Sequence, residues 1–289
     1  MNERCKGKTV FQFGEYVNHP SSTTYIYQDA NVEHFMRLSQ ENRSLFDYAV
    51  GSLNNTAYLK SRSALQNEYY ESATGIFCMG HWLKDYLINE CHVSEEKVVH
   101  VGGGFNLKLD NIQPSANKTK TKILFVGRNF ERKGGLITVE AFKLLKRRMP
   151  EAELFVAGPK ENPVNEVIDG YHFLGDLNFD EVNHYFNECD IFCMPSYFEA
   201  YGLVFIEALA SGLPCIGRDC YEMPYFIENG KTGLLLKNDS VEELAGMMQE
   251  LLTNDTYRNN CGRKKEWYIK EYSWDTVAER MYKFMTQQK

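Results

Sequence analysis

The chain has 289 residues, 43% hydrophobic and 25% charged, enough to build one large domain or two of ordinary size. A formal net charge of -7 argues against an obligate nucleic-acid binder, and no apolar run reaches the ~18 residues of a membrane-spanning helix. The opening MNERCKGKTVFQFG lacks the apolar core of a signal peptide.

In residues 1–118, TVFQFG, TTYIYQ, GIFCM and KVVHVG read as short strands, with helical spacing over Val32–Tyr48, Lys60–Ser72 and His81–Asn89. Four strands are few for a doubly wound domain, so this part is expected to be a partial Rossmann-like domain. Glycines and a polar, proline-containing stretch over Val101–Lys122 read as a linker. The rhythm then strengthens. KILFVG is followed by a helical pattern over Gly135–Met149, and AELFVAG, YHFLG, DIFCMPS, LPCIG and GLLL continue as strands. Helical patterns over Asp180–Glu188 and Gly202–Ser211 fall between them. Continuous apolar runs alternating with helices predict an α/β fold, a parallel sheet covered on both faces. Residues 119–272 are therefore expected to form a complete Rossmann-like domain, and 273–289 an amphipathic helix capped by Ser273.

None of the eight cysteines forms a C-x-x-C pair, which removes support for zinc-ribbon or thioredoxin-type chemistry. Cys78, Cys193 and Cys215 lie in apolar runs and read as reduced core residues. A cytoplasmic protein is expected, with contact to the inner face of a membrane left open.

Ligands of open α/β sheets bind beyond the carboxyl ends of the strands, so the loops there carry the chemistry. After ILFVG come Arg128 and Lys133, with Gly134 and Gly135 opening a helix. Two cations beside free helix N–H groups suit a diphosphate, although an ordinary surface loop has the same composition. Neither a G-x-G-x-x-G fingerprint nor a G-K-[ST] loop is present. After DIFCMPS, Glu199 falls in a loop and Glu207 in a helix that is apolar nearly all round. Helical side chains lean toward their own N-terminus, which tilts Glu207 over Leu203 and Val204 toward Glu199. Buried carboxylates are costly unless paired. Either internal partners satisfy these two, or the hydroxyls of a sugar-like ligand do. His81, at a helix start, reads as a solvated histidine or as a group facing a cleft. No D-x-D occurs, so no metal is expected to bridge a diphosphate.

The series VGRNFERKGG, FVAGP, FLGDL, PSYFEAYGLVFIEALASGLPCIG and NGKTGLLL resembles the donor-binding domain of the retaining, glycogen-synthase-like glycosyltransferases of family 4. NEYYESATGIFCMGHWLKDYL and KVVHVGGGFN resemble the end of that family's N-terminal domain less strongly. The resemblance implies a GT-B fold, two Rossmann-like domains facing across a cleft, with the N-terminal one incomplete. It implies transfer of a sugar from a nucleotide-diphosphate sugar to a glycan, lipid-linked or other hydroxyl acceptor, keeping the anomeric configuration and needing no cofactor. Glu199 would contact the donor sugar, and Arg128 and Lys133 the diphosphate. Glu207 would hold the ribose, while Gly202 and Leu203, with Tyr201 beside them, would face the phosphates or sugar. Phe173 and Gly175 would border the base. The chain is expected to begin partway through the N-terminal domain, which leaves room for a missing segment or a partner chain. It also predicts a C-terminal helix from Trp274 that is partly unsupported. A nucleotide-sugar epimerase and a donor-binding subunit are the alternatives.

Overall fold

The computed structural model describes residues 2–16, 22–50, 55–105 and 119–287. Contacts divide it into one unit of residues Met1–Gly104 with Ser273–Lys289 and a second of residues Phe105–Tyr272. Most of the expected linker, and the expected boundary at residue 118, fall on 106–118, outside the described residues.

The first unit runs β1 (Thr9–Phe13), β2 (Thr23–Gln28), α1 (Val32–Glu41), α2 (Arg43–Val50), α3 (Thr56–Ser72), β3 (Gly75–Cys78), α4 (His81–Asn89) and β4 (Val98–His100). The strands form a parallel sheet in the order β1-β2-β3-β4. On one face Ile26, Ile76, Cys78, Leu83 and Leu87 close a core with Tyr69 and Tyr70 of α3. The single helix expected over Val32–Tyr48 is two helices. Asn42 interrupts it, and its side-chain oxygen accepts from Leu45 N at 3.0 Å, starting α2 afresh.

The second unit runs β5 (Lys122–Val126), α5 (Gly135–Lys146), β6 (Glu153–Ala157), β7 (Tyr171–Gly175), α6 (Phe179–Glu188), β8 (Ile191–Cys193) and α7 (Leu203–Ala210). It continues through β9 (Cys215–Arg218), α8 (Met223–Phe226), β10 (Gly233–Leu236), α9 (Val241–Thr253) and α10 (Asp255–Glu271). Six parallel strands lie in the order β10-β9-β8-β5-β6-β7. The chain winds outward from β5 one way and from β8 the other, so the strand order reverses between them. A crevice at that reversal is where such sheets take ligands. Ile123, Leu124, Phe125, Ile191, Phe192 and Cys193 have no exposed surface, which is why these strands read as unbroken apolar runs.

The last helix, α11 (Trp274–Gln287), belongs to the first unit. Ser273 Oγ accepts from Thr276 N at 3.1 Å and caps it. The expectation that it is partly unsupported fails along one stripe only, since Trp274 and Tyr282 are still 46% and 69% exposed. Val277 is buried with Tyr25, Tyr27, Phe77 and Val101, and Phe284 meets the rings of Tyr25 and Phe77 edge-on. Trp274 lies so close over Gly104 that a Cβ there would come within 2.3 Å of the indole. All eight cysteines are free thiols, and Cys78, Cys193 and Cys215 are buried. Among the described residues no helix is long and apolar enough to cross a membrane.

Candidate functional site

β5 and β8 pair through Ile123–Ile191 and Leu124–Phe192, which brings the loop after β5 against the loop after β8. The two loops touch backbone to backbone. Gly134 takes a left-handed φ of 77°, and a Cβ there would lie 2.4 Å from Pro195 O. Gly202, at φ 96°, leaves a gap that a Cβ would close to 2.8 Å from Glu199 Cγ. Glycine is needed at both positions for conformation and for space.

Both glycines open helices. Gly134 precedes α5 and Gly202 precedes α7, and neither helix has a side-chain cap. The neighbouring helices α6, α9 and α10 are capped by Asn178, Ser240 and Asn254. At the strand-order reversal, then, helix N–H groups and the positive end of the helix dipole are not covered by a capping side chain, the arrangement that receives anions.

The charged groups converge there. Lys133 Nζ donates to the Glu199 carboxylate, and Arg132 Nη1 lies 3.9 Å from the same oxygen. The Lys133 and Glu199 side chains are only 13% and 11% exposed. Burial lowers the Lys133 pKa from its ordinary 10.5, the Glu199 charge opposes that shift, and the Arg132 charge adds to it. An ammonium and a carboxylate paired in this way can divide between an anionic and a hydroxyl-bearing part of one ligand.

The other predicted residues are spread around this pair. Arg128 does not join Lys133. Its side chain is 82% exposed, and its Nε lies 3.3 Å from Asp176, just beyond β7. That places it beside the strand end holding the half-buried Phe173 and Gly175. A Cβ at Gly175 would meet nothing within 4 Å, so the backbone there is open. Arg128 also borders a recess of about 500 Å³, lined with it by Asn129, Phe130, Glu131, Leu136 and Pro163. Glu207 lies in α7 and is 7% exposed, while Leu203 begins that helix and is half-buried. Tyr201 is turned inward, its ring edge-on to Phe226 at 5.1 Å. His81, in the first unit, lies tilted against His100 with ring centroids 3.5 Å apart.

Two arginines went unremarked in the sequence. Arg132 donates from Nη1 to Phe198 O, and its own carbonyl accepts from Tyr197 N at 2.9 Å and Ser196 Oγ at 3.2 Å. Arg218, ending β9, donates to Pro195 O from Nε and Nη2 at 3.3 and 3.2 Å. The position of Arg218 at the carboxyl end of LPCIGR was the available signal. For Arg132 there was none beyond its place next to Lys133.

Comparison with known proteins gives the same direction. Residues 108–268 match the glycosyl transferases group 1 family. A D-inositol 3-phosphate glycosyltransferase of Arthrobacter sp. (strain FB24) is 29% identical over 171 residues, covering 55% of this chain and 41% of that protein. A GDP-mannose-dependent alpha-(1-6)-phosphatidylinositol monomannoside mannosyltransferase of Mycobacterium tuberculosis is 28% identical over 179 residues, covering 56% and 46%. The matched region thus spans less than half the length of these relatives. Among solved structures, the sucrose-phosphate synthase of Thermosynechococcus elongatus superposes with a TM-score of 0.67 at 20% identity, over 93% of this chain and 73% of that one. That likeness shows the fold, α/β with parallel sheets as in GT-B glycosyltransferases. With over half its length matched, the chain belongs to the glycosyl transferases group 1 family, whose members are nucleotide-sugar glycosyltransferases.

Proposed function

We propose that the chain transfers a sugar from a nucleotide-diphosphate sugar to a hydroxyl acceptor, with retention of anomeric configuration and without a metal. The observation that carries this reading is the buried Lys133–Glu199 pair at the strand-order reversal, flanked by two helix starts without side-chain caps. On donor binding the Lys133 ammonium turns to the diphosphate and Glu199 to the sugar. Charge grows on the diphosphate as the bond to the sugar breaks. Lys133 and the N–H groups at Leu203 and Gly135, fixed in advance, stabilise that charge more in the transition state than in the ground state. Arg128, exposed beside the open end of β7, approaches the diphosphate from the side of Phe173 and Gly175, where the base lies. Glu207 accepts the ribose hydroxyls. The names of the two relatives, an inositol phosphate and a phosphatidylinositol mannoside enzyme, favour a polyol or sugar hydroxyl as acceptor. The reaction takes place in the cytoplasm, at or near the inner face of a membrane.

The test is calorimetry with nucleosides, nucleoside diphosphates and their sugar conjugates. Lys133→Ala is expected to weaken diphosphate binding tenfold or more while nearly sparing the bare nucleoside, since one charge-assisted hydrogen bond contributes about 1.5–3 kcal/mol. Glu207→Ala should weaken both, and 2′,3′-dideoxy nucleotides should bind the native chain poorly. Equal losses for nucleoside and diphosphate in the lysine variant would remove the phosphate assignment. Dideoxy binding as tight as the parent would remove the ribose role, and an epimer formed without acceptor would favour the isomerase reading. EDTA is expected to leave donor binding unchanged.

A further inference from the structure

We infer that Arg132 is a positioning residue for Glu199, holding the carboxylate in place once Lys133 has turned to the donor diphosphate. This rests on the transferase reading above.

A single residue reaches four consecutive positions of the loop after β8. The Arg132 carbonyl accepts from Ser196 Oγ and Tyr197 N, its guanidinium donates to Phe198 O, and the same guanidinium lies 3.9 Å from Glu199 Oε2. These contacts join the loop after β5 to the loop after β8 across the strand-order reversal. On the other side Arg218 holds the start of the same loop through two bonds to Pro195 O, lies 4.1 Å over the Tyr197 ring, and is itself fixed by Asp239 at 2.8 Å. The segment from Pro195 to Glu199 is therefore clamped between two guanidinium groups, one from each neighbouring strand end.

The clamp has a specific consequence. In the ligand-free chain Glu199 is shared by Lys133 and Arg132. A diphosphate carries more negative charge than one carboxylate and competes for the Lys133 ammonium. When it wins, Glu199 would be left as a buried carboxylate without its main partner, a strongly unfavourable arrangement. Arg132 removes that difficulty. Its guanidinium is always charged, offers several donors in a fixed plane, and keeps one on Phe198 O while another turns to Glu199. Lys133 can thus leave without releasing the loop. Arg218 anchors the far end, four residues before Glu199, and affects the carboxylate less directly.

The experiment compares wild type with Arg132→Met, Arg132→Lys and Arg218→Met by three measurements. Hydrogen exchange in the ligand-free protein reads loop order over residues 195–202. Calorimetry reads affinity for UDP, GDP and ADP. Turnover of the sugar conjugate of whichever nucleotide binds wild type, by transfer or by hydrolysis, reads catalysis. Arg132→Met is expected to raise exchange across the loop at least tenfold, change nucleoside diphosphate affinity less than threefold, and lower turnover about 100-fold. Arg132→Lys, which restores charge near Glu199 but not the fork, should recover about tenfold in turnover. Arg218→Met should loosen the loop with a smaller turnover loss. Unchanged loop exchange in Arg132→Met overturns the inference. So does a fall in affinity matching the fall in turnover, or equal turnover for the methionine and lysine variants. If wild type binds none of the nucleotides, the transferase reading falls, and the exchange measurement alone still decides whether Arg132 orders the loop.

Discussion

At Lys133 two influences oppose each other, and the balance sets a pH dependence. Burial favours the neutral amine, and the Glu199 carboxylate favours the ammonium. The net shift is downward from 10.5. A lysine with a lowered folded pKa is costly to keep protonated in the fold, so in the ligand-free chain this group gains stability as pH rises toward 10.5. The proposed diphosphate binding would run the other way, because it would use the charged form. Affinity for a nucleoside diphosphate should therefore decline with rising pH before 10.5 is reached. In Glu199→Gln the influence that holds the proton on is gone, and the decline should begin at lower pH. Lys133→Arg should show no decline. Titration calorimetry from neutral to alkaline pH decides this, and superimposable profiles for wild type and Glu199→Gln would contradict it. At this scale the sequence disclosed the individual charges but not their pairing. Lys133 stood out as a cation beside a helix start and Glu199 as a carboxylate in apolar surroundings, yet they are 66 residues apart, and only the reversal between β5 and β8 brings them together. Arg128 stood out equally and went to Asp176 instead, because strand-end spacing does not say which way an exposed side chain turns.

Among the elements, the strands of the second unit were the most legible, since a strand covered on both faces must be apolar throughout. The helix that became α1 and α2 was less so. Its apolar spacing continues across Asn42, and only the capping bond from that side chain reveals the break. α9 and α10 were missed although Ser240 and Asn254 are ordinary capping residues, each accepting from a helix N–H. α11 was legible as an amphipathic helix but not in how its stripe is covered. Its apolar stripe was plain, but the surface it covers is built from β2, β3 and the segment after β4, far away in sequence. Arg280 Nη1 donates to Val101 O at 3.1 Å and fixes its register. Val277→Asp would place a carboxylate among Tyr25, Phe77 and Val101, at a cost of about 3 kcal/mol or more. Hydrogen exchange should then show lost protection in β2 and β3 while β5 and β8 keep theirs. No loss would show that α11 is dispensable to the first unit, and equal loss in both sheets would show that its support is not confined to that unit.

For the molecule as a whole, the two units should respond differently to acid. In the first, His34 packs against the rings of Trp82 and Tyr86. Burial first, and Arg37 second, push it down to about 4 from 6.5. His100 is pushed down to about 3, first by burial and then by His81, with Arg280 and Lys84 adding to it. Both are neutral in the fold near pH 5, where the unfolded chain would protonate them. The unfolded state then binds more protons, so stability falls as pH drops below 6.5, and the His34 share of the loss is complete near pH 4. In the second unit the lowered carboxyls, Asp169 beside Lys146 and Asp255 beside Lys120, act below 3.8 and outside that window. Between pH 6.5 and 4 the first unit should therefore lose stability ahead of the second, with its Tm falling by more than ~4 °C. Hydrogen exchange followed separately in β2–β4 and in β5–β9 resolves the two. His34→Phe keeps a ring against Trp82 and Tyr86 but cannot take up the proton, so it should flatten the acid side of the first unit's profile. Adding a nucleoside diphosphate should raise the second unit's stability, because a ligand that binds only the folded state shifts the equilibrium toward it. Simultaneous loss of both units on acidification, or an acid profile unchanged by His34→Phe, would show that these buried imidazoles do not set the acid limit.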